Sequence, residues 1–223
     1  MSRTQKEYQE FVTKKIHVLK SKSYGSFVLH GKVGDQTFDI IFLTAEKEND
    51  TAIISLLSKW RKKHEMWFTA QFPITNVRTK SWFKTLLIDK PDRLLFMIRV
   101  SDKYMGHVGL NRFNFKKRTC EIDNIVRGET GYPGLMEAAI KTMMAWGTRS
   151  LGVAGFSLLT TSDNSRAIAL YTKLGFVTQK KVPLVYKKTS EGGEWVSTPR
   201  YKGNILRYDV YMKKQSKLLP NRK

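Results

Sequence analysis

Two short segments of this chain carry residue types at spacings suited to chemistry. The first, residues 122–136 (IDNIVRGETGYPGLM), takes a strand into a loop with three glycines and then into a helix opened by a proline. Glycines let the backbone turn with its N–H groups unobstructed, and a helix N-terminus adds partial positive charge. That combination cradles a pyrophosphate, although an ordinary strand-to-helix turn has the same composition. The second, residues 162–176 (SDNSRAIALYTKLGF), lets Asp163 or Asn164 cap a short helix. Ala167, Leu170, Tyr171 and Leu174 share a face of it, and Gly175 ends it. Just upstream of the glycine loop, strand alternation places Glu121 and Asp123 on one face. Two carboxylates there suit a general base or an anchor for a cationic group. His107, on the preceding strand, has a suitable ordinary pKa and competes as base, but a single strand histidine also reads as structural.

The run in which Asn164 precedes Ala167, Leu170, Tyr171, Gly175 and Phe176 resembles the signature of the GNAT acetyltransferase superfamily. The element order matches that family from about Phe38 to Met212. The resemblance implies a mixed α/β (α+β) fold, with a mostly antiparallel central sheet flanked by helices. It implies acetyl-CoA as co-substrate between the third and fourth core strands. Backbone N–H groups of Asn124, Ile125 and Val126 would hold the thioester carbonyl as an oxyanion hole. Arg127, Gly128, Thr130, Gly131 and Gly134 would contact the pyrophosphate, and Asn164 the pantetheine or CoA. Tyr171 matches the position that gives a proton or a hydrogen bond to the departing thiolate. A phenol near 10 is a weaker acid than a thiol near 8.5, so full transfer is uphill by about 2 kcal/mol and hydrogen-bond donation suffices. The family's loop usually reads Gln or Arg, two residues, Gly, one residue, Gly or Ala. Here Gly128, Gly131 and Gly134 follow Arg127 at a stretched spacing, which leaves the backbone donors open. Transfer is direct in this family, and Cys120 lies on the face opposite Glu121.

The elements that must position these groups follow from periodicity. Residues 1–22 have Phe11, Ile16 and Leu19 weakly spaced for a helix, and residues 26–29 and 36–43 read as strands about a turn at 31–35. Asn49 or Asp50 caps a helix with Ile53, Ile54, Leu56, Leu57 and Trp60 on its apolar stripe. Thr79 caps a second, with Trp82, Phe83, Leu86 and Leu87 on one face. Strands at 93–100, 105–113 and 118–126 form a meander, followed by a helix at 133–150, a strand at 154–161 and a helix at 165–174. Two more strands, at 176–188 and 205–213, flank a polar stretch. We read one acetyltransferase domain at residues 37–215, a basic tail at 216–223, and an extension at 1–36. The extension's role as sheet edge, dimer contact or linker stays open, as does a homodimer.

The chain has 223 residues with 40 Lys plus Arg against 19 Asp plus Glu, a net charge of +21 that favours anionic partners and disfavours lysine-rich ones. Its one cysteine excludes an intrachain disulfide. The apolar runs are too short to span a bilayer and no leader is read, so a soluble cytoplasmic protein is expected. Trp60, Trp67, Phe68, Phe72, Trp82 and Phe83 offer stacking surfaces or core packing, with residues 66–72 as the acceptor loop. Residues 57–109 also resemble GNAT enzymes found with sugar-nucleotide biosynthesis. That implies N-acetylation of a nucleotide-linked amino sugar. A protein or peptide amine is the alternative acceptor. An inactive, nucleic-acid-associated binding protein is a third reading, against which Asn164 and Tyr171 argue.

Overall fold

The computed structural model describes residues 3–215, so the expected basic tail at 216–223 lies outside the described residues. Helix α1 (Gln5–Lys20) opens with a reciprocal capping box between Thr4 and Glu7. The hairpin β1 (Val28–Val33) and β2 (Gln36–Phe42) follows. Then come α2 (Thr51–Lys63), the short strand β3 (Ala70–Gln71) and α3 (Asn76–Trp82), which continues as a π-helical turn, Phe83–Ile88. The meander β4 (Leu94–Val100), β5 (Lys103–Asn114) and β6 (Thr119–Arg127) feeds through the glycine loop into α4 (Leu135–Leu151). Last are β7 (Gly155–Thr161), α5 (Ser165–Lys173), β8 (Val177–Thr189), β9 (Gly192–Ser197) and β10 (Arg207–Gln215).

The strands form one sheet in the order β1-β2-β4-β5-β6-β7-β10-β8-β9-β3. Only β6 and β7 pair in parallel, so the sheet is mixed and mostly antiparallel, as expected. Alternation along β4 supplies both faces: Leu94, Phe96, Ile98 and Val100 enter the core under α1, α4 and α5. Leu95 and Met97 enter a second core under α2 and the π-helical turn. Each such side chain contributes about 1.5–3 kcal/mol by burial.

Several local expectations shift. The expected division at residues 36 and 37 cuts the β1–β2 hairpin, where Val33 pairs with Gln36. Tyr8, Val12, Ile16 and Leu19 of α1 join the same core as α4, so the N-terminal segment extends the sheet and covers one face of it. The cap of α3 is Thr75, whose side chain accepts from Arg78 N–H, one turn before Thr79, which is buried. The π-turn, marked by Asp89 N–H donating to Lys84 O at 2.9 Å, rotates Leu86 outward and keeps Phe83 and Leu87 inside. The polar stretch contains β9, which pairs with β8 and with β3.

Lys20 fastens α1 to the end of that π-turn. Its buried ammonium donates to Leu87 O at 2.7 Å, to Ile88 O at 2.9 Å and to Lys90 O, capping carbonyls that the helix leaves unpaired. Burial pushes the Lys20 pKa down to about 8, while Asp92 and Asp89 pull it back up. Lys20→Met removes all three donors and is expected to cost about 2 kcal/mol in urea unfolding. Wild-type stability in that variant would show that water caps these carbonyls equally well.

Candidate active site

β6 and β7 pair only at Thr119–Gly155, Cys120–Phe156 and Glu121–Ser157. Beyond these residues β6 stays on β5 and β7 on β10, so the sheet opens into a wedge between them. A bulge in β6 accompanies the opening. His107 faces Val126 and Gly109 faces Asp123, so β6 takes three steps where β5 takes two. Asn124 carries the extra residue at φ 47°, a left-handed conformation that Asn tolerates. The bulge reverses the alternation: Ile122 enters the α4 core, whereas Val126, four residues on, enters the α2 core. His107 Nδ1 is 2.7 Å from Asn124 O, and a carbonyl partner requires that nitrogen to carry the proton. Burial pushes the His107 pKa down to about 4, so the ring is neutral at ordinary pH. It lies 6.0 Å from the Trp60 ring. This geometry suits a residue that holds the bulge better than a base.

The two carboxylates project to the α2 side. Asp123 sits over Gly109, where a Cβ would come within 2.6 Å of its Oδ1. Its Oδ2 accepts from Arg93 at 2.5 Å, Asn124 Nδ2 at 2.8 Å and Asn111 Nδ2 at 3.3 Å. Burial raises its pKa and Arg93 draws it back down. Glu121 stands at the vertex of the wedge, and its ion-pair partner among the described residues is Arg112, at 3.4 Å from both oxygens. Burial raises its pKa, Arg112 opposes this and Asp123 adds to it.

The glycine loop divides in two. Its first half is clamped to α2: Arg127 O accepts from His64 Nε2 at 2.8 Å, Gly128 O from Lys63 at 2.7 Å, and Glu129 Oε1 from Trp60 Nε1 at 3.1 Å. Gly128 and Glu129 N–H both donate to Met105 O. A Cβ on Gly128 would lie 1.9 Å from the Trp60 ring. Gly128 is therefore a close-packing glycine with its N–H already engaged, which corrects the expectation that it donates to pyrophosphate. Arg127 likewise turns inward, its Nε 3.3 Å from Glu129 O. The second half differs. Gly131 (φ 125°) has open space around it, and Gly134 (φ 81°) caps α4 without a side chain to satisfy the first N–H groups. Thr130, Gly131, Gly134 and the start of α4 thus keep the character of an anion cradle beside the wedge, which fits a pyrophosphate-bearing co-substrate.

Asn164 caps α5, its Oδ1 accepting from Ala167 N–H at 3.2 Å, which leaves its amide N–H groups for a ligand. Tyr171 is buried on the inner face of α5, 6.4 Å from the Phe176 ring. Burial drives its phenol well above the ordinary range, so it remains a hydrogen-bond donor.

On the α2 side, at the C-terminal end of β7, lies a groove of about 560 Å³ lined by Met66, Gln71, Asp163, Tyr186, Trp195, Leu206 and Arg207. A second hollow of about 470 Å³ shares Met66, Gln71 and Tyr186 and adds Glu65, Phe72, Pro73, Glu191 and Gly192. Pairing of Ala70 with Glu194 and Gln71 with Gly193 stitches the α2–α3 connection onto the β8–β9 hairpin. Arg61 supports that connection, its guanidinium 3.5 Å from the Phe68 ring centre and 2.7 Å from Ala70 O. Met66, Gln71 and Phe72 of the expected acceptor loop do line these hollows. Trp60 and Phe83 are core residues instead. Arg207 holds the wall together, bonding Asp163 at 2.9 Å and Met66 O at 2.7 Å. The sequence reading missed Tyr186, Trp195 and Arg207. The alternation Gly193-Trp195-Ser197 was the available signal for β9.

Residues 41–177 match the family model of the acetyltransferase (GNAT) domain. No curated protein matches the sequence. Among solved structures, the chain is similar to RimL, a ribosomal L7/L12 alpha-N-protein acetyltransferase. Identity is 13%, covering 87% of this chain and 98% of that one, at a TM-score of 0.61. It is similar to the Vibrio cholerae spermidine N-acetyltransferase in complex with CoA and spermine, at 16% identity, 80% and 95% coverage and a TM-score of 0.59. It is also similar to the Microcin C7 self immunity acetyltransferase MccE in complex with acetyl-CoA and AMP, at 14% identity, 82% and 94% coverage and a TM-score of 0.60. These likenesses show the fold.

The neutral His107 has a measurable consequence. Its folded pKa, about 4, lies below the ordinary 6.5, so between these values the unfolded chain binds more protons. Stability is present above pH 6.5 and is lost as pH falls towards 4, by about 3 kcal/mol. Urea unfolding at pH 4, 5.5 and 7 is expected to show this slope in wild type and to lack it in His107→Gln. Equal slopes would exclude His107 as the titrating group.

Proposed function

We propose that this chain, which belongs to the GNAT acetyltransferase family, acetylates the amino group of an amino sugar carried on a nucleoside diphosphate. It is an acetyl-CoA-dependent N-acetyltransferase, which sets aside the inactive binding protein. The observation that carries the acceptor reading is the groove at the C-terminal end of β7. The tilted Tyr186–Trp195 pair, with ring centres 5.3 Å apart, offers flat apolar faces to a sugar or a base. The hollows have the size of small-molecule sites. The net charge of +21 attracts a diphosphate from outside. A fold neighbour bound to acetyl-CoA and AMP accords with a nucleotide near such a site.

Acetyl-CoA supplies the activated acetyl carbonyl. The chain's own residues bind and orient. Thr130, Gly131, Gly134 and the first turn of α4 hold its phosphates, and Asn164 touches its pantetheine. Backbone N–H groups at Asn124, Ile125 and Val126, set by the bulge, stabilise negative charge on the carbonyl oxygen. Asp123, tied to Arg93, Asn111 and Asn124, is a positioning residue for that bulge. Glu121, whose two oxygens each meet Arg112 Nη1 only at 3.4 Å, is the carboxylate placed to take the amine's proton. Its raised pKa brings it closer to neutral, where a base works best. The nitrogen bonds to the carbonyl carbon, the carbon–sulfur bond breaks, and Tyr171 hydrogen-bonds the departing sulfur.

A protein amino-terminus is the second reading, favoured by the similarity to RimL and by Glu65 and Glu191 along the outer hollow. Acetyl-CoA turnover read by mass spectrometry separates the two: the expected product is an N-acetylated UDP- or dTDP-amino sugar, with amino-terminal peptides unchanged. Acetylated peptide with untouched sugar nucleotide would overturn the preferred acceptor. In either case Tyr171→Phe is expected to lower kcat about 100-fold with little change in either KM. Wild-type turnover in that variant would remove Tyr171 from the mechanism.

A further inference from the structure

Outside the stretch that matches the family model, β10 carries a buried carboxylate that the mechanism above does not use. Asp209 lies between β7 and β8, opposite Thr161 and Val182. Alternation fixes its direction. Val210 and Met212 enter the core under α1, α4 and α5, so Arg207 and Asp209 point to the other side, where Arg207 lines the groove. Ser197 donates from Oγ to Asp209 Oδ2, and it shares a face of β9 with Trp195 of the groove wall. Thr161, the register partner of Asp209, belongs to β7, which borders the wedge. Asp209 therefore lies beneath the Arg207 end of the groove, on the face of the sheet that the groove covers and next to β7.

Its environment is unlike that of the other interior acids. Asp123 has Arg93, Glu121 has Arg112 and Asp163 has Arg207. Among the described residues Asp209 forms no ion pair, although the chain carries 40 Lys plus Arg. Asp209 is 4% exposed, and its Oδ1 has no hydrogen-bond partner. Thr161 Oγ1, on the neighbouring strand, makes no well-aligned hydrogen bond either, with the Asp163 carboxylate as its nearby acceptor. Such atoms are ordinarily satisfied, and a buried acceptor left without a donor is costly. A carboxylate oxygen and a hydroxyl side by side, with the nearby guanidinium of Arg207 turned to Asp163, suit a group with several N–H donors and a positive charge.

We propose that Asp209 Oδ1, assisted by Thr161 Oγ1, anchors the amino group of the acceptor and aims it into the wedge towards the acetyl carbonyl. This assignment rests on the groove being the acceptor site and names the residue that selects a primary amine there. The acceptor's body would lie along Tyr186 and Trp195, and its nitrogen would meet Asp209 at the far end.

The test compares wild type, Asp209→Asn, Asp209→Glu and Thr161→Val with a UDP-linked amino sugar, an amino-terminal peptide and spermidine. Asp209→Asn is expected to lower kcat/KM at least about 30-fold through KM for whichever amine is acetylated, because a buried charged partner is lost. KM for acetyl-CoA should stay within about twofold. Asp209→Glu should recover part of the loss, and Thr161→Val should raise the amine KM by a smaller factor. An unchanged amine KM, or an equal rise in both KM values, overturns the anchor. Acetylated peptide with silent sugar would defeat the substrate class while Asp209 is judged on the peptide. Should no amine react, calorimetry of the amino-sugar nucleotide with the CoA-saturated protein decides: equal heats for wild type and Asp209→Asn overturn the assignment. If Asp209→Asn fails to fold, Thr161→Val carries the same comparison.

Discussion

The separation of β6 from β7 is the constraint on which the rest of this molecule depends. Parallel neighbours in a closed sheet exchange hydrogen bonds along their length, whereas here the register ends at Glu121 and Ser157. The left-handed step at Asn124 diverts β6 while β5 stays paired with it on the far side. Three contacts from within the fold hold that step: His107 under the Asn124 carbonyl, Asp123 on the Asn124 amide, and Arg93 behind Asp123. A gap through the middle of a sheet exposes backbone donors that a substrate can satisfy. The same distortion therefore weakens the sheet and opens it between β6 and β7.

Trp60 translates that distortion to the loop. Its ring fills the space left by Gly128, its Nε1 holds Glu129, and it stacks near His107. The first half of the glycine loop is thereby fixed to α2, and only its second half faces the start of α4 free of side-chain caps. A loop that looks uniform in composition has one half packed against α2 and one half left open.

The distribution of charge follows the same division of labour. A strongly positive exterior surrounds a face of the sheet where carboxylates are concentrated: Glu121 and Asp123 on one side of the wedge, Asp163 and Asp209 on the other. Arg207 forks onto Asp163 with two nitrogens, whereas Arg93 meets Asp123, and Arg112 meets Glu121, through one nitrogen each. The positive field and the interior acids are thus separated in space, one on the exterior and the other on one face of the sheet.

Much of this was already legible in the chain. The period-3.6 stripes of α2, α4 and α5 and the apolar run of β4 follow from local side-chain preferences, so their positions were readable. The Asn164–Phe176 run carried the family, because helix cap, tyrosine and glycine stop lie within one short element. Faces on β6 were readable up to Asp123, where alternation still held. What the sequence could not disclose is what non-local contact decides. Gly128 is needed by Trp60, nearly 70 residues away in the chain. Thr75 caps α3 where Thr79 is equally suited by type, because Thr79 lies a turn inside the helix and is buried. Asp209, Trp195 and Arg207 read as a polar tail of strands. Only the pairing of β10 with β7 and β8, and of β8 with β9, brings Trp195 and Arg207 to one groove with Asp209 beneath it, since strand order is set by packing and not by proximity in sequence.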